Sequence, residues 1–315
     1  MITAYILHEN QFMSKELTTK DQIPDKTLWL DVFDPDEDER QWLSSYFVED
    51  VPEEEDRNEL EASARFYSDR DGLHINSLFP QRIGTTFNAI NLSFTLRSDL
   101  MITIREDDLG LIRLMRNYLR TGYINVKSPY ALFFEFFSIK VDYLSDLIED
   151  VYTVLENVGP EVINAAELDN IFKQITIQED TNGKIRLSLL DTQRSLRYIT
   201  RYHRHQLTDE NVKDLQEIMT DIDSLMPHSQ FLFDKLNFLL ESTIGFNGLR
   251  QNKIIKIFSV AAVVFLPPTL IASIYGMNFK YMPELDWYIG YPIALGLMVT
   301  SAASTYFFFK QKGWL

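Results

Sequence analysis

The chain has no cysteine at any of its 315 positions, which excludes a disulfide framework and any thiolate metal site. Its five histidines are scattered. His8, His74 and His228 lack ligand spacing, and His203 and His205 lie among Arg201, Tyr202 and Arg204, a setting hostile to a metal cation. No glycine-rich phosphate loop, nucleophile elbow or His-Glu helix motif is present, so nothing marks an enzyme. The start, Met1-Ile2-Thr3-Ala4-Tyr5-Ile6, lacks the basic and apolar regions of a signal peptide. The most informative absence is of charge. No charged residue occurs in 257–279 or in 287–309, two runs of 23 residues each. Roughly 20 apolar helical residues cross a bilayer core, whereas the core helix of a soluble protein rarely stays charge-free and apolar on every face for so long.

The flanking charges orient the two runs. Arg250, Lys253 and Lys256 precede the first, and Lys310 and Lys312 follow the second. The linker holds only Lys280, Glu284 and Asp286. Lysine and arginine stay on the cytoplasmic side, so both termini are expected there and the linker outside. Tyr281, Trp287, Tyr288 and Tyr291 then mark the outer interface and Trp314 the inner one. The expected organisation is a cytoplasmic αβ domain with long helices over 1–250 and a transmembrane domain over 251–315. Span one covers about 254–275, the outer loop 276–290 and span two about 291–310, with a basic tail.

Charge separates the two parts. All but two of the 46 acidic residues and all but five of the 30 basic ones precede position 251, a net of −19 against −16 for the whole chain. So acidic a region disfavours nucleic acid and anionic lipid surfaces and suits cations.

Short alternating runs at Thr27–Phe33, Leu73–Phe79, Asn88–Leu96 and Leu100–Arg105 predict strands. Apolar residues at three- and four-residue spacing predict helices around Leu109–Thr121, Tyr130–Val158, Asn164–Ile177 and Asn182–Tyr202, punctuated by Pro160 and Asn182-Gly183. A last helix, capped at Thr208 or Asp209, has no visible end before Tyr275. At about 1.5 Å per residue this stalk is about 100 Å long. Pro227 and Pro267-Pro268 are expected to bend it without ending it.

Two rows at seven-residue spacing run along span one: Asn252, Ser259, Leu266, Ser273, and Ile255, Ala262, Thr269, Gly276. They are mostly small or hydroxyl-bearing. Spacing leaves two readings open, close packing of membrane helices or a narrow pore lined by several copies. Two spans per chain cannot enclose a pore, so the second reading requires an oligomer.

Tyr275-Gly276-Met277-Asn278, followed by Met282-Pro283-Glu284-Leu285 and Trp287 near the end of a two-span C-terminus, resembles the CorA family of magnesium transport proteins. Glu61-Ala62-Ser63-Ala64-Arg65-Phe66, Asp71-Gly72-Leu73-His74, Phe265-Leu266-Pro267-Pro268-Thr269 and Trp314-Leu315 resemble its proteobacterial branch, so the likeness runs through the chain. It implies a funnel-shaped homopentamer in the bacterial inner (cytoplasmic) membrane: an α+β cytoplasmic domain whose long stalk helix runs into a two-helix C-terminal transmembrane hairpin. It implies no protein partner besides the chain itself and the lipid bilayer. Its substrate is Mg2+, with Co2+ and Ni2+ secondary, and Mg2+ also closes the channel from inside. Carried over by position, the selectivity filter is Gly276, Met277 and Asn278. The pore lining is Asn252, Ile255, Phe258, Ala262, Leu266, Thr269 and Ser273, and Glu284 belongs to the outer loop.

A regulatory Mg2+ site is expected where Asp214, Glu217 and Asp221 share a stalk face, with Asp223 nearby and Glu59 or Glu61 of a neighbouring copy opposite. Glutamate at 59 and 217 departs from the family's usual aspartate. Lys280 and Asp286 exchange the signs usual at those outer-loop positions. The alternatives are a zinc transporter of the related branch, disfavoured by few histidines and no cysteine, and a membrane-tethered enzyme or metal sensor.

Overall fold

The computed structural model describes residues 1–8, 11–46, 65–84, 86–164 and 168–313. Seven strands form one sheet: β1 Ile2–His8, β2 Gln11–Leu17, β3 Thr27–Phe33, β4 Phe66–Ser68, β5 Leu73–Ile83, β6 Thr86–Leu96 and β7 Met101–Arg105. Their order is β2-β1-β3-β7-β6-β5-β4. Only β3 and β7 pair in parallel, with Trp29 opposite Met101 and Val32 opposite Ile104. The described helices are α1 Glu37–Ser44, α2 Gly110–Thr121, α3 Pro129–Asn164, α4 Leu168–Tyr202, α5 Asp209–Tyr275 and α6 Gly290–Gln311.

Alternation along the central strands builds two cores. Leu30, Val32, Ile102 and Ile104 point to one face, where they pack with Ile2, Ala4 and the α1 residues Trp42 and Leu43. Helix α1 begins at a capping box in which Asp36 takes the Glu39 N–H at 2.8 Å. Trp29 and Phe94 meet α3 on the other face: ring centroids lie 5.2 Å apart for Trp29 and Phe136 and 5.1 Å apart for Phe94 and Phe133. Phe133, Phe134, Phe136 and Phe137 are all fully buried. Each contributes roughly 1.5–3 kcal/mol by leaving water.

The buried carboxylates of this interior have partners, although Thr3 Oγ1 and Ser93 Oγ are buried without one among the described residues. Asp31 on β3 accepts from Thr103 Oγ1 at 2.9 Å and from Arg105 Nε and Nη2 at 3.2 and 3.1 Å, and Arg116 of α2 also reaches it. A second buried carboxylate, Asp191 on α4, accepts from Ser77 Oγ at 2.6 Å and the Leu78 N–H at 2.8 Å on β5. Arg65 lies 3.2 Å from Asp191, and Lys140 Nζ of α3 lies 3.7 Å away. Lys140 also donates to Ser77 Oγ at 3.0 Å and sits over the Phe79 ring at 4.5 Å.

Strands β3, β5, β6 and β7 and helices α2, α3 and α5 lie where the sequence patterns predict them; β1, β2, β4 and α1 carry no such prediction, and the punctuation differs. Helix α3 continues past Pro160, and α4 runs unbroken through Asn182-Gly183. Asn182 is buried and donates to the Ser229 carbonyl at 3.0 Å, while Ser229 Oγ donates back to Asn182 Oδ1. It therefore clasps α4 to α5 instead of making a turn. Helix α5 holds Pro227 and Pro267-Pro268 without ending, as expected, and reaches 67 residues. The chain divides into two compact units, Met1–Pro160 with Asp169–Leu239, and Glu161–Leu168 with Leu240–Leu315.

Burial lowers the Lys140 ammonium from 10.5 to about 8, the nearby Asp191 carboxylate only partly offsetting the lost hydration. An unfolded lysine keeps its proton up to about pH 10.5, so Lys140 costs the fold its full penalty below pH 8 and progressively less above it. Unfolding of wild type and Lys140→Met, compared across that window, is expected to show wild type gaining about 3 kcal/mol relative to the variant as pH rises. A constant difference would show that Lys140 is not the titrating group.

Candidate functional site: ion pathway and acidic face

The two membrane-length runs form the last part of α5 and α6. In each helix only 6% of the most apolar 18-residue stretch is buried within the chain. That rules out the core helix of a soluble protein, because these surfaces must meet lipid or another copy. The loop between them contains a 3-10 turn, Pro283–Asp286. Gly290 lies so close to this turn that a Cβ there would sit 2.4 Å from the Glu284 carbonyl oxygen, so only glycine closes the hairpin at that point.

Asn252, Ile255, Phe258, Ala262, Leu266, Thr269 and Ser273 all lie in α5 and are all exposed within the chain. At about 100° per residue they fall within an arc of about 120°. They form one face, without a charge on it. Thr269 Oγ1 donates to the Phe265 carbonyl at 2.7 Å, the usual way a helical hydroxyl is satisfied in an apolar phase. The face ends at Gly276, whose N–H reaches the Ala272 carbonyl at 2.9 Å, and Met277, whose N–H reaches Ile274 at 3.2 Å. Asn278 follows outside the helix, exposed, its amide unbonded among the described residues. Three consecutive residues thus present backbone and amide oxygens beyond the last helical turn.

A second face lies on the first part of α5. Asp214, Glu217 and Asp221 share it, and burial raises the pKa of Asp214, with the charges of Glu210 and Glu217 adding to the rise. Asp223 does not join them. It accepts from Gln193 of α4 at 2.8 Å, on the other side of the helix. Glu59 and Glu61 lie outside the described residues. Among the described residues no three carboxylate or histidine side chains of one chain converge on a metal position.

Helix α3 supplies acidic residues that the sequence patterns passed over. Burial raises Glu135, helped by Asp214 and Asp142, and burial likewise raises Asp142, helped by Asp221 and Asp146. The signal was present: Glu135 and Asp142 repeat at seven residues, as Asp214 and Asp221 do, the spacing of facing rows on two parallel helices.

A family model described as CorA-like Mg2+ transporter protein matches residues 24–311. The Magnesium transport protein CorA of Haemophilus ducreyi is 40% identical over 320 residues, with 100% of both chains covered. That of Yersinia pestis is 39% identical over 319 residues, again with 100% of both covered. The chain belongs to the CorA-like Mg2+ transporter family. Among solved structures, the complete CorA magnesium transporter from Methanocaldococcus jannaschii matches with a TM-score of 0.80 at 20% identity, covering 100% of this chain and 99% of that one. The α+β unit, the long helix and the C-terminal apolar helices are thus a CorA fold, and the protein is a membrane protein.

The acidic seam of this CorA-like chain suits a hard divalent cation, since every donor is an oxygen. Without a cation the seam opposes folding, because groups whose carboxyl pKa is raised lose stability as pH climbs through the raised value. Glu135→Gln with Asp142→Asn is therefore expected to raise the melting temperature in chelator at neutral pH, with the gain vanishing on acidification. Calorimetry that found the double variant less stable at neutral pH would show that the carboxylates are already compensated within the chain.

Proposed function

We propose that copies of this chain, five by family resemblance, gather span one about a common axis and conduct hydrated Mg2+ into the bacterial cytoplasm across the inner membrane. Both termini then lie in the cytoplasm. One observation carries this reading: a charge-free face of α5 that ends in Gly276, Met277 and Asn278.

Magnesium sheds its water reluctantly, so a filter that demanded full dehydration would be slow. A ring of Asn278 side-chain carbonyls with backbone carbonyls of Gly276 and Met277 instead accepts hydrogen bonds from the ion's water shell. The lining holds no carboxylate to retain a divalent ion, and conduction needs weak, multiple sites. Two charges moving inward gain about 4–5 kcal/mol per 100 mV of membrane potential. Ile255, Phe258 and Leu266 form apolar belts that close by dewetting. Co2+ and Ni2+ are the expected secondary substrates.

Closure is assigned to Mg2+ held between the face of Asp214, Glu217 and Asp221 and acidic residues of the neighbouring copy, Glu59 or Glu61. Glu135 and Asp142 add to the negative potential there. Carboxylates from two copies repel without a cation, so ion binding selects the closed arrangement.

Uptake into proteoliposomes tests the pathway. Wild type should carry Mg2+, and Asn278→Ala should abolish that uptake; a wild type that moved Zn2+ but no Mg2+ would overturn the assignment. The gate has its own test. Neutralising Asp214, Glu217 and Asp221 together should leave uptake intact while relieving inhibition by millimolar internal Mg2+. Unchanged inhibition would exclude that face.

A further inference from the structure

The first unit is strongly acidic, yet one helix face in it is cationic. Arg194, Arg197 and Arg201 stand at i, i+3 and i+7 on α4 and are all exposed. None of them has a carboxylate partner among the described residues; Arg201 only lies over the Tyr202 ring at 5.2 Å. Like charges one turn apart repel, so the row is stabilised by whatever anion covers it. We propose that it docks on Asp214, Glu217 and Asp221 of a neighbouring copy and takes the place of Mg2+ there when the ion leaves. This rests on the ring assembly and acidic gate proposed above.

Two observations support the contact. The first is length. Each row spans seven residues, Arg194 to Arg201 on α4 and Asp214 to Asp221 on α5. Laid antiparallel, Arg194 meets Asp221 and Arg201 meets Asp214, while Arg197 and Glu217 fall one residue, about 1.5 Å, out of step.

Height is the second. Within one chain α4 and α5 run antiparallel, pinned where Gln193 donates to Asp223 at 2.8 Å and Asn182 to the Ser229 carbonyl at 3.0 Å. These contacts set Arg197 level with Glu217 to within a turn, although the two rows point apart. Rotation about an axis along α5 preserves height, so in a ring the neighbour's acidic row arrives at the level of the arginines.

Glu217 has one partner already, Lys213 at 3.6 Å, but that is an exposed pair within one helix, the kind a forked guanidinium displaces. Mg2+ and the arginine row then compete for the same carboxylates, which gives the ion-free state a positive contact of its own.

The absence of cysteine makes the test clean. Two single-cysteine chains with different tags, Arg197→Cys and Glu217→Cys, are co-expressed at full length and oxidised in chelator at low salt. Cross-links joining the two tags are expected, falling several-fold in millimolar Mg2+ and in about 1 M NaCl, where charges are screened beyond about 3 Å. Yields no higher than for Arg197→Cys paired with Asp180→Cys, an exposed position on α4 itself, would overturn the contact. Should either variant misfold, Arg201→Cys with Asp214→Cys replaces the pair.

Arg194→Glu with Arg197→Glu and Arg201→Glu gives a functional readout. Uptake should persist and close at several-fold lower internal Mg2+, because the competitor is gone. An unchanged midpoint overturns the competition, and a cross-link replaced by arginine-dependent retention on a polyanion column assigns the row to an anionic polymer instead. Loss of all Mg2+ uptake by wild type would sink the transport reading itself, which the cross-link alone cannot do.

Discussion

One buried carboxylate ties the first unit together. Asp191 of α4 accepts hydrogen bonds from Ser77 and the Leu78 N–H of β5 and lies against Lys140 of α3 and Arg65. A charge without water is tolerable only when its lone pairs are filled, so these elements hold one mutual arrangement. With Asp191 turned to the sheet, residues three, six and ten positions further along α4 face outward as arginines. With Lys140 turned to the same point, Glu135 and Asp142 face α5.

Helix α5 carries two chemistries on one backbone. Its first part is amphipathic, with Leu215, Ile218 and Ile222 buried beside an acidic edge. Its last part is apolar on nearly every side and keeps small and hydroxyl groups on one face. In the proposed channel the acidic edge senses the ion that the uncharged face conducts. The two tasks need opposite properties, because a sensor must hold Mg2+ long enough to shift a population and a pore must let it go.

Much of the fold was legible in periodicity. The central strands and the long helices, including α5 from Asp209 to Tyr275, sit where alternation and helical spacing placed them. The edges were harder to read. Strand β2, Gln11–Leu17, lies at the sheet's edge and is exposed at five of its seven positions, without a clean alternation of apolar and polar residues to mark it. Pro160 and Asn182-Gly183 looked like breaks because local propensity favours turns there. A buried amide bonded to Ser229 overrides that preference in α4.

What the sequence alone determined is the membrane hairpin, its orientation signals, the uncharged row and the motif at its end. These depend on composition and spacing along a single helix, which folding does not rearrange. Which acidic residues share a seam was decided only in three dimensions. Asp223, about 200° round the helix from Asp221, turns to Gln193 of α4, and Glu135 and Asp142 joined because α3 packs parallel to α5. That the arginines lack a carboxylate partner among the described residues emerged only there too. Charge interactions act through space between helices far apart in the chain, and no periodicity within one segment records which faces will meet.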